Sequence, residues 1–211
     1  RDGLSGETAT LHTRCVVNAT GVWIDHLRHQ ALMQNRPDTS PVTASMVRPS
    51  QGVHLVVKRE KLPLAQAVLV PKTADGRVLF ALPWLGSTLI GTTDTPRHDA
   101  PTEPLATPEE LHFLLEQSRV SLGVDLHPED VRSIWVGLRP LVNQTPENTT
   151  AEVSREHVIQ RDSPGFVTVT GGKWTTYRAM AEAVMQALVD AQDLSVADRP
   201  AHTEQHRLHG Y

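Results

Sequence analysis

The segment GVHLVVK, residues 52–58, decides the fold of this 211-residue chain. Its residues alternate in the way that a β-strand requires, so that Val53, Leu55 and Val57 share one face and His54 lies on the other. The segment is therefore predicted to be a strand in the body of a sheet, with His54 and Val56 on the face opposite Val53, Leu55 and Val57.

Three apolar segments follow this strand and are separated by turn residues: AVLVPK (67–72), RVLFALPW (77–84) and STLIGTTD (87–94). Short strands joined by turns favour an antiparallel meander. Two later segments also have strand character. DVRSIWVGLRPLV (130–142) predicts one more strand, and HVIQRDSPGFVTVTGG (157–172) predicts a hairpin.

Three segments have helical spacing. The first is VWIDHLRHQALM (22–33). The second, residues 107–122, begins with a capping box formed by Thr107 and Glu110, has proline at its first position and is predicted to end at Gly123. We interpret the second as scaffold. The third follows GGKWTTYR, and its predicted buried side contains Tyr177, Met180, Ala181, Val184, Leu188 and Ala191. The predicted fold class is α+β, with a mostly antiparallel mixed sheet and flanking helices.

The composition excludes several classes of function. The formal net charge is −4, so the chain lacks the basic field that nucleic-acid binding requires. No apolar stretch reaches the roughly 20 residues that a transmembrane helix needs. The single cysteine, Cys15, cannot form an internal disulfide, which is compatible with an intracellular protein or with one that does not depend on the redox state of its compartment. None of the 11 histidines has the spacing of a zinc site, so no metal is expected.

The segment GGKWTTYR, residues 171–178, is an unusual start for a helix. A helix commonly begins with an acidic residue in its first turn. Here Lys173 and Arg178 lie on either side of the start, and residues 171–181 contain no Asp or Glu. Glycines allow close approach of a ligand, and free backbone N–H groups at Thr175 and Thr176 would bind an anionic group. The alternative is that the two glycines only make a turn.

Four stretches carry a resemblance to a known family: VVNATGVW (16–23), RPSQGVHLVV (48–57), VGLRPLV (136–142) and GGKWTTYR. With PWLGSTLIGTTDTP (83–96), they resemble in the same order the FAD-dependent glycerol-3-phosphate dehydrogenases, within the wider group of amine and hydroxy-acid oxidases. The resemblance extends from Thr8 to Arg178. It departs from the family at three positions, where Val22 replaces the usual Pro, Gln51 a common Lys, and Trp174 a common Leu.

The resemblance also predicts the domain organisation. The family's Gly-x-Gly-x-x-Gly fingerprint and its C-terminal helical domain have no counterpart in the chain, and we expect both to lie outside Arg1–Tyr211. The chain then corresponds to the middle of a longer protein. Residues 1–34 and 166–193 would be strips of the FAD-binding domain, residues 35–165 a substrate-binding sheet domain with a capping helix at 107–122, and residues 194–211 a linker.

The resemblance implies a set of site residues. His54 is the expected general base, because a ring nitrogen can take the hydroxyl proton of an alcohol. Arg139 would orient the substrate oxygen, and since Pro140 interrupts a regular ladder, we expect Arg139 at a strand end that faces a cleft. Arg155 and Lys173 are the candidates for binding a substrate phosphate.

The cofactor implied by the resemblance is FAD. Two short segments would contact this cofactor. The first consists of Ala19, Thr20 and Gly21, and the second contains Gly171, Gly172, Lys173, Thr175 and Thr176. We expect FAD in the full-length protein, and we expect this 211-residue piece alone not to retain it.

The predicted reaction is oxidation of sn-glycerol 3-phosphate to dihydroxyacetone phosphate, with hydride transfer to FAD and electrons passed on to a quinone. One alternative keeps the fold and changes the chemistry to a glycerol-phosphate or amino-acid oxidase. Another is an isolated module without catalysis. The resemblance is compatible with a homodimer and with a cytoplasmic protein that attaches to the inner face of the membrane through regions outside the chain.

Overall fold

The computed structural model describes residues 1–35, 44–73, 76–143, 157–191, 193–194 and 202–210. The chain forms two compact units: residues 1–20, 24–44 and 155–211 make the first, and residues 21–23 with 45–154 make the second. In chain order the regular elements are β1 (Val16–Asn18), α1 (Ile24–Asn35), β2 (Val47–Lys58), β3 (Val68–Val70), β4 (Leu79–Trp84), β5 (Ser87–Gly91), β6 (Thr95–Pro96), α2 (Pro108–Leu122), β7 (Val131–Val142), β8 (His157–Ser163), β9 (Phe166–Gly171) and α3 (Tyr177–Asp190).

The second unit is built around β2, which has antiparallel neighbours on both edges. The strands β5 and β6 pair with one edge, and β7 pairs with the other along nearly the whole strand. The strands β3, β4 and β5 are consecutive antiparallel neighbours. The predicted meander is therefore confirmed, and the segment at 52–58 lies in its most extensively paired strand.

One face of this sheet makes the core of the second unit. Val53, Leu55 and Val57 of β2 are all fully buried and pack with residues of β4 and β5. The helix α2 covers this face with Leu114, which is also fully buried. Burial of such side chains is the main contribution to the stability of a domain of this size.

The helix α2 matches its sequence prediction at both ends. The Thr107 hydroxyl accepts from the backbone N–H of Glu110 (3.3 Å), and the Glu110 carboxylate accepts from the N–H of Thr107 (3.0 Å). Gly123 ends the helix at a φ of 70°, a left-handed conformation that glycine adopts without strain. The predicted capping box and C-cap are both confirmed.

The first unit contains a three-stranded sheet in the order β1-β9-β8, in which β1 is parallel to β9 and the predicted hairpin β8–β9 is antiparallel. The predicted domain boundary at residue 165 falls inside that hairpin. Because β8 pairs with β9, residues 157–163 lie with the first unit and not with the sheet around β2.

The helix α3 packs on this small sheet with a face that differs from the predicted one. Val184 and Leu188 are buried against Val167, as expected, but Tyr177 is 50% exposed. Tyr177 instead stacks on Trp174, with ring centroids 5.8 Å apart. Among the described helices, none combines the length and the apolar character that crossing a bilayer requires.

The segment 202–210, predicted to be part of a linker, makes specific contacts with α3. Arg178 donates hydrogen bonds to the hydroxyl of Thr203 (3.0 Å) and to the carboxylate of Glu204 (3.3 Å). The segment has no apolar periodicity, in agreement with its sequence, and the hydrogen bonds of Arg178 connect it to the start of α3.

Truncation of Leu114 tests whether α2 is essential to the core. Leu114→Ala is expected to lower the free energy of unfolding by about 2–5 kcal/mol, because it leaves a cavity under the sheet. Val120→Ala on the same helix removes a side chain that is 60% exposed and is expected to change stability by less than about 0.5 kcal/mol. Urea denaturation measures both, and equal effects would contradict the assignment of α2 to the core.

Candidate active site

His54 and Arg139 lie on the face of the sheet opposite the core. In the register of β2 and β7, His54 pairs with Trp135, Gly52 with Gly137, and Ser50 with Arg139. Since side chains alternate along a strand, all of these residues are on the same face. His54 and Arg139 line an open depression of about 310 Å³ there, and the two glycines form its floor.

Two glycines leave the space that these side chains occupy. A Cβ atom on Gly52 would lie 2.6 Å from Cζ of Arg139, and one on Gly91 would lie 2.7 Å from Nε2 of His54. Both distances are far inside van der Waals contact. The guanidinium and the imidazole therefore lie over bare backbone, and any larger residue at either position would displace them.

The segment that follows β5 holds the guanidinium of Arg139. Its nitrogens donate to the carbonyl of Thr93 (3.2 Å) and to the hydroxyl of Thr92 (2.9 Å), and its NH1 is 3.7 Å from a carboxylate oxygen of Asp94. The Asp94 carboxylate also accepts a hydrogen bond from the Ser50 hydroxyl. These contacts fix the plane of the guanidinium, and the carboxylate of Asp94 places a negative charge near it.

The residues that hold Arg139 were missed by sequence reasoning, although they lie within the motif PWLGSTLIGTTDTP. That motif was used only to recognise the family. Threonines after a strand have no chemical signature of their own, and the available signal was a carboxylate, Asp94, immediately after two threonines on a sheet-forming segment.

The expectation that Arg139 lies at a strand end is wrong. The ladder continues through Pro140, which pairs with Pro49 of β2, as far as Val142. Among the described strands, β7 pairs only with β2, and an edge strand tolerates proline where its missing N–H faces away from the neighbour. Arg139 thus reaches the depression from within the strand.

His54 has an environment that favours its neutral form. It is partly buried, and its ring lies 5.5 Å from that of Phe80 between centroids. Burial lowers the pKa of His54 below its ordinary value, and the positive charge of Arg139 lowers this pKa further. A neutral imidazole at neutral pH can accept a proton.

The turn after β1 is held by a buried asparagine. Asn18 donates to the carbonyl of Ile24 (2.9 Å), and its own side-chain oxygen accepts from the hydroxyl of Thr20 (2.8 Å). Gly21 has a φ of 63°, and a Cβ there would have no atom within 4 Å. The Ala19-Thr20-Gly21 turn is therefore rigidly anchored on one side while Gly21 adjoins open space.

The end of β9 has one buried polar atom without a partner. Within the described residues, no hydrogen-bond partner is present for the Thr170 hydroxyl, although this residue is only 4% exposed. Gly171 and Gly172 follow with φ values of 75° and 74°. An orphaned buried hydroxyl beside two left-handed glycines fits a bound polar ligand, because such groups are rarely left unsatisfied.

Gly172 and the turn that follows it are engaged by neighbouring residues. A Cβ on Gly172 would come within 2.8 Å of Cε of Met180, so this glycine makes room for a side chain of α3. The N–H of Thr176 donates to the carbonyl of Lys173 (3.0 Å), so the expectation of a free donor at Thr176 is wrong. The short helical turn Trp174–Thr176 that precedes α3 engages this donor locally.

The cations at the start of α3 are not equivalent. Arg178 pairs with Glu182 (2.9 Å) and Glu204 (3.3 Å), whereas Lys173 is exposed and makes no ion pair with any residue that the structure describes. Arg155 lies outside the described residues. Of the predicted site residues, the structure brings His54 and Arg139 together in the second unit, while Lys173 belongs to the first unit.

Comparison with known proteins supports the resemblance found in the sequence. The sequence profile of the family described as "FAD dependent oxidoreductase" matches residues 1–186. The mitochondrial glycerol-3-phosphate dehydrogenase of Bos taurus is 40% identical over 196 residues, which are 92% of this chain and 26% of that protein. The mitochondrial glycerol-3-phosphate dehydrogenase SDP6 of Arabidopsis thaliana is 39% identical over 194 residues, covering 92% and 29%.

A solved structure gives the same result. The glycerol-3-phosphate dehydrogenase from Bacillus halodurans complexed with FAD is 34% identical, with a TM-score of 0.76, over 96% of this chain and 36% of that one. The chain thus spans about a quarter to a third of the length of the proteins that it matches. The match of the family profile over residues 1–186, together with the α+β fold, shows that the chain belongs to the family of FAD-dependent oxidoreductases.

Proposed function

We propose that the whole protein is an FAD-dependent dehydrogenase that oxidises sn-glycerol 3-phosphate to dihydroxyacetone phosphate. The observation that carries this proposal is the placement of His54, with a lowered pKa, beside a firmly held Arg139 in one open depression. A base and a fixed cation are the groups that oxidation of an alcohol requires. Similarity to enzymes named glycerol-3-phosphate dehydrogenases supports the choice of substrate.

The proposed cofactor contacts lie at the ends of β1 and β9. Ala19, Thr20 and Gly21 form one strip, and Gly171, Gly172, Lys173, Thr175 and Thr176 form the other. The unpartnered Thr170 hydroxyl and the open space beside Gly21 support this assignment. FAD, when bound, accepts the hydride from the substrate carbon. By this proposal the first unit belongs to the flavin domain and the second to the substrate domain.

His54 is the proposed general base. As the C–H bond is broken, the substrate hydroxyl becomes acidic, and the neutral imidazole takes its proton. The O–H bond breaks, an N–H bond forms on the ring, and the oxygen keeps the electron pair that becomes part of the new carbonyl. The burial of His54 and the positive charge of Arg139 both lower the pKa of this imidazole and so favour its neutral form.

Arg139 is the proposed electrostatic partner of the substrate oxygen. A guanidinium is always protonated, so it can stabilise the negative charge that develops on this oxygen without exchanging a proton itself. Its hydrogen bonds to Thr92 and Thr93 are made before substrate binds. The group is therefore preorganised, and little energy is needed to orient it during the reaction.

Lys173 and Arg155 are the proposed phosphate ligands. The exposed ammonium of Lys173, without an ion pair in the part of the chain described, supports its role, and the proposal for Arg155 rests on the resemblance. The resemblance also supplies the other proposals: a quinone as electron acceptor, a homodimer, and a cytoplasmic protein peripheral to the inner face of the membrane. A glycerol-phosphate or amino-acid oxidase remains the alternative reaction, and a module that does not retain FAD is the non-catalytic alternative.

The reaction is tested with the purified full-length protein. Flavin absorbance and turnover of sn-glycerol 3-phosphate with an artificial electron acceptor are expected, while glycerol, which lacks the phosphate, should be oxidised far more slowly. His54→Ala and Arg139→Ala should each lower kcat by about 10²-fold or more. Rapid production of hydrogen peroxide would favour the oxidase instead. Absence of bound flavin would support the module.

The pH dependence of kcat/KM tests the state of His54. The folded pKa is lowered from 6.5, so kcat/KM should rise as pH increases through a value below 6.5 and become constant above it. Arg139→Ala removes one cause of the lowering, so the residual activity should rise at a higher pH than in the wild type, while Arg139→Lys keeps the charge and should shift the curve less. An unchanged acid limb in His54→Ala would reject the role of His54.

Substitution of Gly52 tests the packing of the site. Gly52→Ala puts a methyl group where the guanidinium of Arg139 lies, and is expected to lower kcat by up to about 10²-fold, because small displacements of catalytic groups have effects of this size. Gly137→Ala adds the same methyl to the facing strand, where no atom lies within 4 Å. Its kcat should fall much less. Similar losses in both variants would mean that occlusion of the depression, and not displacement of Arg139, is the cause.

A further inference from the structure

We propose that Glu110, in the first turn of α2, is a positioning residue for Arg139 and acts through Thr93. The carboxylate binds the buried side chain of Thr93 and thereby fixes the segment on which the guanidinium lies. This inference rests on the proposed function, because only there does Arg139 have a catalytic role.

The burial of Glu110 goes beyond what its role in capping α2 requires. A capping box needs only a carboxylate within reach of the Thr107 N–H, and such a group is usually solvated. Glu110 is 5% exposed and lies on the core side of the sheet. Buried carboxylates are rare unless their oxygens are hydrogen-bonded, so the partners of Glu110 indicate why it is there.

Both oxygens of Glu110 are engaged on the core side of β2. Oε2 accepts from Nε2 of Gln51 (2.7 Å) as well as from the N–H of Thr107, and Oε1 accepts from the hydroxyl of Thr93 (3.2 Å). Gln51 and Thr93 are fully buried. Gln51 neighbours Gly52 in β2, and Thr93 directly precedes Asp94. The carboxylate therefore joins α2 to the two segments that form the depression.

Thr93 carries the connection from the core side to the site side. Its hydroxyl donates to Glu110 and accepts from the N–H of Val53 (2.9 Å), while its carbonyl accepts from NH1 of Arg139 (3.2 Å). Its neighbours Thr92 and Asp94 supply the other contacts of the guanidinium. Glu110 and the guanidinium are thus connected by one residue and two hydrogen bonds.

Without Glu110, the Thr93 hydroxyl keeps the N–H of Val53 (2.9 Å) and has the carbonyl of Gln51, now 3.4 Å away, as its other acceptor. A hydroxyl that moves towards this carbonyl, or that stays without an acceptor, loosens the backbone of residues 92–94. Because the Arg139 contacts originate from that backbone, the guanidinium then loses its fixed orientation. The charge of Glu110 is not required for this effect, but a hydrogen-bonding group is.

The test compares three variants of the flavin-loaded full-length protein. Glu110→Leu keeps the volume and removes the hydrogen bonds, and is expected to lower kcat about tenfold or more with a smaller change in KM, since positioning acts in the transition state. Glu110→Gln keeps one acceptor oxygen, which can accept from the hydroxyl of Thr93, and should retain more of the activity than Glu110→Leu. Thr107→Ala weakens the same helix cap without touching Thr93, so it should lower stability and leave kcat unchanged.

A double-mutant cycle separates positioning from general damage. In an Arg139→Ala background, Glu110→Leu should cause no further loss of kcat. An equal loss from Glu110→Leu in both backgrounds, or wild-type kcat in Glu110→Leu alone, overturns the proposal.

A readout without turnover distinguishes failure of this proposal from failure of the proposed function. Hydrogen exchange of the Arg139 guanidinium N–H groups, followed by NMR, should be faster in Glu110→Leu than in Thr107→Ala. Unchanged exchange overturns the positioning role, whatever the protein catalyses. Faster exchange in a protein whose Arg139→Ala variant has wild-type activity confirms the positioning role and rejects Arg139 as a catalytic residue.

Discussion

The antiparallel pairing of β2 with β7 is the constraint on which the rest of the second unit depends. Its register puts His54 opposite Trp135 and Gly52 opposite Gly137, while the intervening residues of β2 face the core. Since side chains alternate strictly, a shift of one residue would move the histidine into the core and Leu55 into solvent. The burial of Val53, Leu55 and Val57 therefore fixes the register and, with it, the site.

The two faces of this sheet are connected chemically as well as geometrically. Apolar burial dominates the core face, but Gln51, Thr93 and Glu110 form a hydrogen-bonded polar cluster within it. A polar cluster of this kind contributes little net stability compared with well-packed apolar residues, but it is sensitive to geometry because an unpaired member is costly. The cluster lies directly behind the segment that holds Arg139, the residue that we propose stabilises charge on the substrate oxygen.

Much of the fold could be predicted because the deciding signals are local. Alternation over 52–58, the capping box of Thr107 and Glu110, and Gly123 as a C-cap are all short-range patterns, and each was confirmed. The errors came from features that the sequence pattern did not show. Pro140 did not end its strand, because β7 pairs only with β2 among the described strands and the missing N–H of a proline can face away from that neighbour. Tyr177 was not buried, because it stacks on Trp174, which precedes α3.

The sequence by itself determined the family, the order of the motifs and the chemical types of the two principal proposed site residues, His54 and Arg139, since motif order and residue type are properties of the chain. Only the tertiary structure decided that these two share a depression, that Gly52 and Gly91 leave room for them, and that Thr92, Thr93 and Asp94 hold the guanidinium. The physical reason is that these contacts join residues that are far apart in the sequence, and Thr92 and Arg139, for example, are 47 positions apart. Their distances are set by strand register and side-chain packing, which no local pattern encodes.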